Sequence, residues 1–306
     1  MSLELTILGS SSALPTSERY PTAQVLNLLE RFFLIDCGEG TQIQIRRNKI
    51  GFGKIKNIFI SHLHGDHFYG LIGLISTFNL LGINHDLHIY SPSQIKDILQ
   101  PQIDFLKAGL QFKIFFHPLN FKKPQLIFED KKTEAYSFPL RHSINCCGFL
   151  FREKPREANI RKECIDQFQI PIDKIKEIKQ GADFTTSNGD SIPNHQLTIP
   201  PPSPRSFAFC SDTAFHPPAA EFIQGVDLLY HEATFTEELR SWADKTLHST
   251  AADAAKIARM AGAGKLVIGH FSSRYDDLAP FLKEARAIFP NTEAAHDGET
   301  YSIEQQ

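Results

Sequence analysis

The chain has 306 residues, 42% hydrophobic and 22% charged, with 32 basic against 35 acidic side chains and a formal net charge of −3. That profile belongs to a folded globular protein and excludes fibrous repeats and wholesale disorder. The length allows two small domains or one large layered domain, and a polyanionic partner would need a local cationic surface on a molecule that is slightly acidic as a whole.

The opening stretch, MSLELTILGSSSALP, has no basic segment and no apolar run long enough for a signal peptide or membrane span, so a cytoplasmic protein with no membrane partner is expected. LELTILG, VLNLLE, RFFLIDCG, NIFISH and LHIYSP read as short strands bounded by turn formers. Helical spacing of apolar residues predicts helices over 66–82, 93–107 and 249–262, and the strand KLVIGH follows the last of these. This mixture indicates an α/β layered fold, with functional side chains on loops after strand C-termini. Five cysteines without CxxC spacing read as reduced thiols in the core. The ratio of 25 Phe to one Trp and two Met predicts a core rich in phenylalanine.

One shift in composition interrupts the chain at 152–205, where a charged segment gives way to one rich in Pro, Ser and Asn. Few of its residues could sustain a core, so it reads as an inserted arm; a disordered surface loop is the alternative.

The most informative run is Ser61-His62-Leu63-His64-Gly65-Asp66-His67, directly after an apolar strand. Four potential ligands in six positions converge only where the chain turns sharply, for which Gly65 gives freedom. Several imidazoles and a carboxylate in one turn would be poorly accommodated without a cation. Imidazole nitrogen and carboxylate oxygen suit zinc or manganese, and the lack of nearby cysteine points away from a thiolate structural site. His142, Asp212 and His270 each follow an apolar stretch that would deliver them to the same edge, completing two ligand sets joined by one carboxylate.

This HxHxDH run, with its spaced His, Asp and last His, resembles the metallo-β-lactamase superfamily. The resemblance implies a four-layer αββα sandwich with two metal ions, one held by His62, His64 and His142, the other by Asp66, His67 and His270, with Asp212 bridging. A finer resemblance, to the ribonuclease Z family, runs over nearly the whole chain. It is carried by LGSSSALP, FLIDCGEGTQIQ, SHLHGDHFYGLIGL, and HEATF at 231–235 with His248-Ser249-Thr250 downstream.

That family resemblance implies a single metallo-β-lactamase-like domain over 1–306 with 152–205 as a tRNA-binding arm. It implies two Zn2+ per subunit, with Mn2+ possible, and endonucleolytic removal of the 3′ trailer from precursor tRNA by a homodimer. Asp66 is then the proton acceptor for the attacking water. His248 is a suitable general acid and Glu232 could orient it by accepting its other ring proton; a surface histidine and a helix cap at Ser249 are the alternatives. The arm offers Arg152, Lys154, Arg156, Arg161, Lys162, Lys174, Lys176 and Lys179 for phosphate contacts, although six interspersed acids leave 152–180 at only +2. It lacks the Gly-Pro signature of many family arms. The loop after the first strand, Pro15-Thr16-Ser17-Glu18-Arg19-Tyr20, keeps only Pro and Arg of the PxKxRN pattern, and Arg19 could touch a phosphate. Two rivals remain: a small phosphodiester or thioester hydrolase, and an RNA-binding protein that has lost its chemistry.

Overall fold

The computed structural model describes residues 3–105 and 109–304. These form two compact units, one of residues 3–152 with 205–304 and one of Glu153–Pro204.

The larger unit is an αββα sandwich. Its first sheet runs, in spatial order, Thr300–Ile303, Leu3–Gly9, Ala23–Leu28, Arg31–Cys37, Ile55–Phe59, Leu87–Ser91 and Ile114–Pro118. The first four strands pair antiparallel and the last four parallel. Side chains alternate between faces with period two. Phe33, Ile35, Phe59 and Tyr90 point into the space between the sheets, whereas Leu34, Ile58 and Ile89 meet helices Thr41–Arg47, Leu71–Leu80 and Ile95–Phe105. The second sheet runs Thr292–Ala294, Lys265–Gly269, Leu228–Glu232, Ser206–Cys210, Cys147–Glu153, Thr133–Pro139 and Gln125–Glu129, its first four strands parallel. Helices Pro217–Phe222, Ala251–Ala261 and Ala279–Arg286 cover its outer face through Ala220, Ala254, Ala258 and Phe281.

Between the sheets lies the expected phenylalanine core. Phe151 sits 5.2 Å from both Phe33 and Phe59 and 6.2 Å from Phe207. All five cysteines are buried and free. No helix among the described residues is long and apolar enough to cross a membrane.

Local differences from the sequence reading have tertiary causes. The helix expected over 66–82 is two, Gly65–Phe68 and Leu71–Leu80. Gly70 lies at the break, where an added Cβ would come within 2.0 Å of the Gly38 carbonyl oxygen, so the second helix closes on the first sheet only with glycine there. The segment VLNLLE ends in a two-residue hairpin turn at Leu29 and Glu30, both with positive φ, as in a type I′ turn. The helix expected over 93–107 is described over Ile95–Phe105; its last two predicted positions lie outside the described residues.

The smaller unit has a core of its own, contrary to expectation. Cys164, Ile170, Ile178, Phe184 and Leu197 form a buried cluster flanked by Ile160, Phe168, Ile175 and Ile192. Helices Lys162–Gln167 and Ile172–Lys179 supply part of it, and Asn194 fastens the C-terminal end of the second by donating to the carbonyls of Ile178 and Ala182.

Phe151→Ala removes a ring packed on four aromatic neighbours and should destabilise the larger unit by about 3–5 kcal/mol, measured by chemical denaturation. A loss below about 1 kcal/mol would mean that the sheets close over the gap.

Candidate metal centre

Every residue of the expected ligand set except those of the 62–67 run stands just after a strand of the second sheet, and that run follows Ile55–Phe59 of the first. The C-terminal ends of strands from both sheets thus meet at one edge, parallel strands for all but His142, whose strand Thr133–Pro139 pairs antiparallel with Gln125–Glu129. Two positions there are backbone outliers: Asp36 has φ 54° and His270 has φ 63°. Non-glycine residues adopt such values at a cost, which the surrounding hydrogen bonds must offset.

Hydrogen bonding fixes which nitrogen each histidine presents. His67 Nδ1 donates to Asp36 Oδ2 at 2.7 Å. Ser61 Oγ donates to the same carboxylate at 2.8 Å and so accepts from His62 Nδ1 at 3.0 Å. His142 Nδ1 donates to the Leu247 carbonyl at 3.0 Å. Thr234 Oγ1 donates to Glu232 Oε2 at 2.8 Å and accepts from His270 Nδ1 at 2.9 Å. These four rings are left with Nε2 as a free lone pair, while His64 turns Nδ1 toward the same space.

The lone pairs converge. His64 Nδ1 lies 3.1 Å from His62 Nε2 and 3.2 Å from His142 Nε2, with Asp212 Oδ2 at 3.5 Å from His62. On the other side, Asp66 Oδ2 lies 3.3 Å from His67 Nε2 and 3.5 Å from His270 Nε2, and Asp212 Oδ1 is 3.4 and 3.2 Å from the same two nitrogens. Asp212 therefore turns one oxygen to each cluster. Ligands about 2.0–2.1 Å from a tetrahedral ion are roughly 3.3 Å apart, the spacing seen here. His67 Nε2, His270 Nε2 and Asp212 Oδ1 are buried with no hydrogen-bond partner, although such atoms are normally satisfied. Facing atoms that only a shared proton could otherwise reconcile fit a cation.

Electrostatics agree. Burial and the neighbouring His67 push His62 down to about 4, so it stands as a neutral ligand. His67 does the reverse: burial alone would lower it, but Asp212, Asp66 and Asp36 raise it well above the usual range. A site that forces a proton onto one imidazole demands positive charge, which a metal ion would supply instead.

Beside this centre, Glu232 is fully buried and accepts five hydrogen bonds: from the backbone amides of Thr213, Ser249 and Thr234, from the Thr234 hydroxyl, and from His248 Nδ1 at 2.9 Å. Burial lowers the His248 pKa, but Glu232 more than offsets this and brings it to about 9. His248 is thus no free surface residue: Glu232 takes its Nδ1, while the ring also stands in a group of potential donors with Asp212 and His270. Thr250, not Ser249, caps helix Ala251–Ala261 through a capping box with Asp253. Ser249 Oγ instead donates to the Thr213 carbonyl at 2.6 Å, tying this loop to the one that carries Asp212.

His64, Asp66, His142, Asp212, His248 and His270 line a cleft of about 560 Å³, with Lys245 and Arg274 at its wall. Gly65 needs no left-handed conformation; an added Cβ would instead meet the Tyr69 ring at 2.2 Å. Sequence reasoning missed Asp36, Ser61 and Thr234. Asp36 is the acid that ends an otherwise apolar strand in FLIDCGEG, a signal that was available. Arg19 donates to the Tyr275 carbonyl at 2.7 Å. In the smaller unit Arg161, Lys162, Lys174 and Lys176 are exposed, Lys154, Arg156 and Lys179 half-buried; Arg152, also half-buried, belongs to the larger unit.

Asp36→Asn keeps the shape but gives up the charge and one acceptor that orient His62 and His67. Metal affinity should fall about 10–100-fold with the fold intact, measured by competition with a chromogenic chelator and by circular dichroism. Unchanged affinity would mean that the rings are oriented without it.

The family described as Anti-Pycsar protein Apyc1 matches residues 3–154. Ribonuclease Z of Bacteroides thetaiotaomicron is 49% identical over 98% of this chain and 95% of its own length. Ribonuclease Z of Parabacteroides distasonis is also 49% identical, over 98% of this chain and 99% of its own. Among solved structures, the short form of human tRNase Z superposes with a TM-score of 0.73 at 25% identity, covering 99% of this chain and 100% of that one. The metallo-β-lactamase fold protein YhfI of Bacillus subtilis gives 0.68 at 16% identity, covering 99% and 100%, a likeness of fold. With half of its residues shared over nearly its whole length, the chain belongs to the ribonuclease Z family of metal-dependent endoribonucleases.

Proposed function

We propose that the protein removes the 3′ trailer from precursor tRNA, cutting after the discriminator nucleotide and leaving a 3′-hydroxyl on the tRNA. The observation that carries this reading is the pair of donor clusters sharing Asp212, with a proton donor, His248, held beside them by Glu232. The relatives named ribonuclease Z narrow the substrate to tRNA precursors.

We assign His62, His64, His142 and Asp212 to one ion and Asp66, His67, His270 and Asp212 to the other. Two Zn2+ suit this nitrogen and oxygen set, and Mn2+ is the alternative the same donors accept. When bound, such ions polarise a phosphoryl oxygen and make a water acidic near neutral pH. Asp66 positions that water and receives its proton as the water oxygen bonds to phosphorus. The bond from phosphorus to the 3′ oxygen breaks, its electron pair stays on that oxygen, and His248 donates the proton that makes the 3′-hydroxyl. Glu232 holds the Nδ1 proton of His248, leaving Nε2 as the donating atom, and favours the charged imidazolium that precedes transfer.

We assign Glu153–Pro204 as the tRNA-binding arm, with exposed Arg161, Lys162, Lys174 and Lys176 making phosphate contacts supported by Arg152, Lys154, Arg156, Lys179 and Arg19. A homodimer in the cytoplasm completes the proposal. Its support is apolar surface on two neighbouring helices, where Leu80 is 83% and Phe105 94% exposed.

Incubation with a precursor tRNA that carries a short 3′ trailer and lacks CCA should give a chelator-sensitive cut next to the discriminator. Hydrolysis of small phosphodiesters alone would overturn the tRNA reading. Asp212→Ala should lose bound metal and activity together, whereas His248→Ala should keep both ions, by elemental analysis, and lose about 10²–10⁴-fold in rate. Metal loss in the His248 variant would refute its role as proton donor. Ile178→Asp, which breaks the core of the smaller unit, should cripple precursor cleavage while sparing small diesters.

A further inference from the structure

Helix Arg240–Thr246 leads directly into His248 and carries the chain's one tryptophan, Trp242. The indole is 42% exposed and joins none of the buried hydrophobic clusters. Two cations lie over it: the Arg274 guanidinium at 5.2 Å and the Lys245 ammonium at 5.3 Å from the ring centroid. Both side chains are exposed, and both line the same cleft as the metal-site residues. Among the described residues, no carboxylate pairs with either one, while the nearby Arg240 is engaged by Glu237 and Asp253. A tryptophan kept for packing would be buried, and a cation kept for structure would meet a carboxylate, whereas the Arg274 guanidinium donates only to the Ser272 hydroxyl, at 3.3 Å, among the described residues. Lys245 and Arg274 instead stand at the wall of a cleft that Asp66 and Asp212 also line, and the exposed indole lies directly against both cations, just outside the lining.

We infer that Trp242, Arg274 and Lys245 are the platform that binds the single-stranded nucleotide adjoining the scissile phosphate. This rests on the ribonuclease reading of the site. The base stacks on the indole and the two cations take the flanking phosphates, which would otherwise be repelled by the carboxylates beneath. Lys245, a mobile and strongly hydrated ammonium, yields its place on the ring to the base while staying on the adjoining phosphate. Stacking reads no base edge, so the platform accepts any nucleotide, as an enzyme that meets varied trailers requires.

The single tryptophan makes the test direct. A tetranucleotide with phosphorothioate linkages, which resists hydrolysis, should quench the intrinsic fluorescence saturably and more weakly as salt rises. Trp242→Ala should raise KM for precursor tRNA about tenfold, the effect of losing one stacked base. It should leave kcat, and hydrolysis of methyl p-nitrophenyl phosphate, within about twofold, and Trp242→Phe should restore most of the affinity. Absence of quenching with an unchanged KM would overturn the platform, and so would an equal loss on both substrates, which marks a structural staple. Should the wild-type enzyme hydrolyse the small diester but not cut precursor tRNA, the tRNA assignment fails, and the fluorescence titration still decides the platform.

Discussion

The centre depends on burying carboxylates without leaving any of their charge unanswered. Asp36, Asp212 and Glu232 are each at most 2% exposed, and an uncompensated buried carboxylate would cost more than a domain's whole margin of stability. Each is answered differently. Asp36 is met by the Ser61 amide, the Ser61 hydroxyl and the His67 ring, and Glu232 by five donors from three loops. Asp212 has an oxygen with no protein donor at all, and that deficit is what a cation fills. The first two carboxylates build the scaffold, and the third is left open for the ligand.

From this division follows the ordering of the imidazoles. A ring held at Nδ1 by a charged or polar acceptor has one tautomer, one orientation and one lone pair to offer. Asp36 does this for the first sheet, directly to His67 and through Ser61 to His62; Glu232 does it for the second, directly to His248 and through Thr234 to His270. The two carboxylates are counterparts, each ending or nearly ending a strand of its own sheet. The strained backbone at Asp36 and His270 is what it takes to bring both arrangements to one edge.

Much of this was legible in the sequence because it is encoded locally. Strand alternation, the four ligands packed into 62–67 and the position of His142, Asp212 and His270 after apolar stretches all survive reading one segment at a time. What escaped depends on segments far apart in the chain. The break at Gly70 exists because Gly38 approaches it, and the core of the smaller unit is assembled from Cys164, Ile178 and Leu197, apolar residues too sparse to register in a polar stretch. Ser61 and Thr234 look like ordinary hydroxyl residues until the carboxylates they relay are in place. Trp242 was visible only as a compositional oddity.

His248-Ser249-Thr250 shows how densely such a centre uses its chain. Three successive side chains act on three scales: the first is held at Nδ1 by Glu232 and is the proposed proton donor, the second ties its loop to the one bearing Asp212, and the third starts helix Ala251–Ala261. The capped helix packs its alanines on the second sheet, so the helix, the loop and the imidazole are placed by one another rather than separately. A proton donor has to be held to within a fraction of an ångström of the leaving oxygen. For the proposed donor that tolerance is met by anchoring it in the fold's own layer packing, which the larger unit must form in order to fold at all.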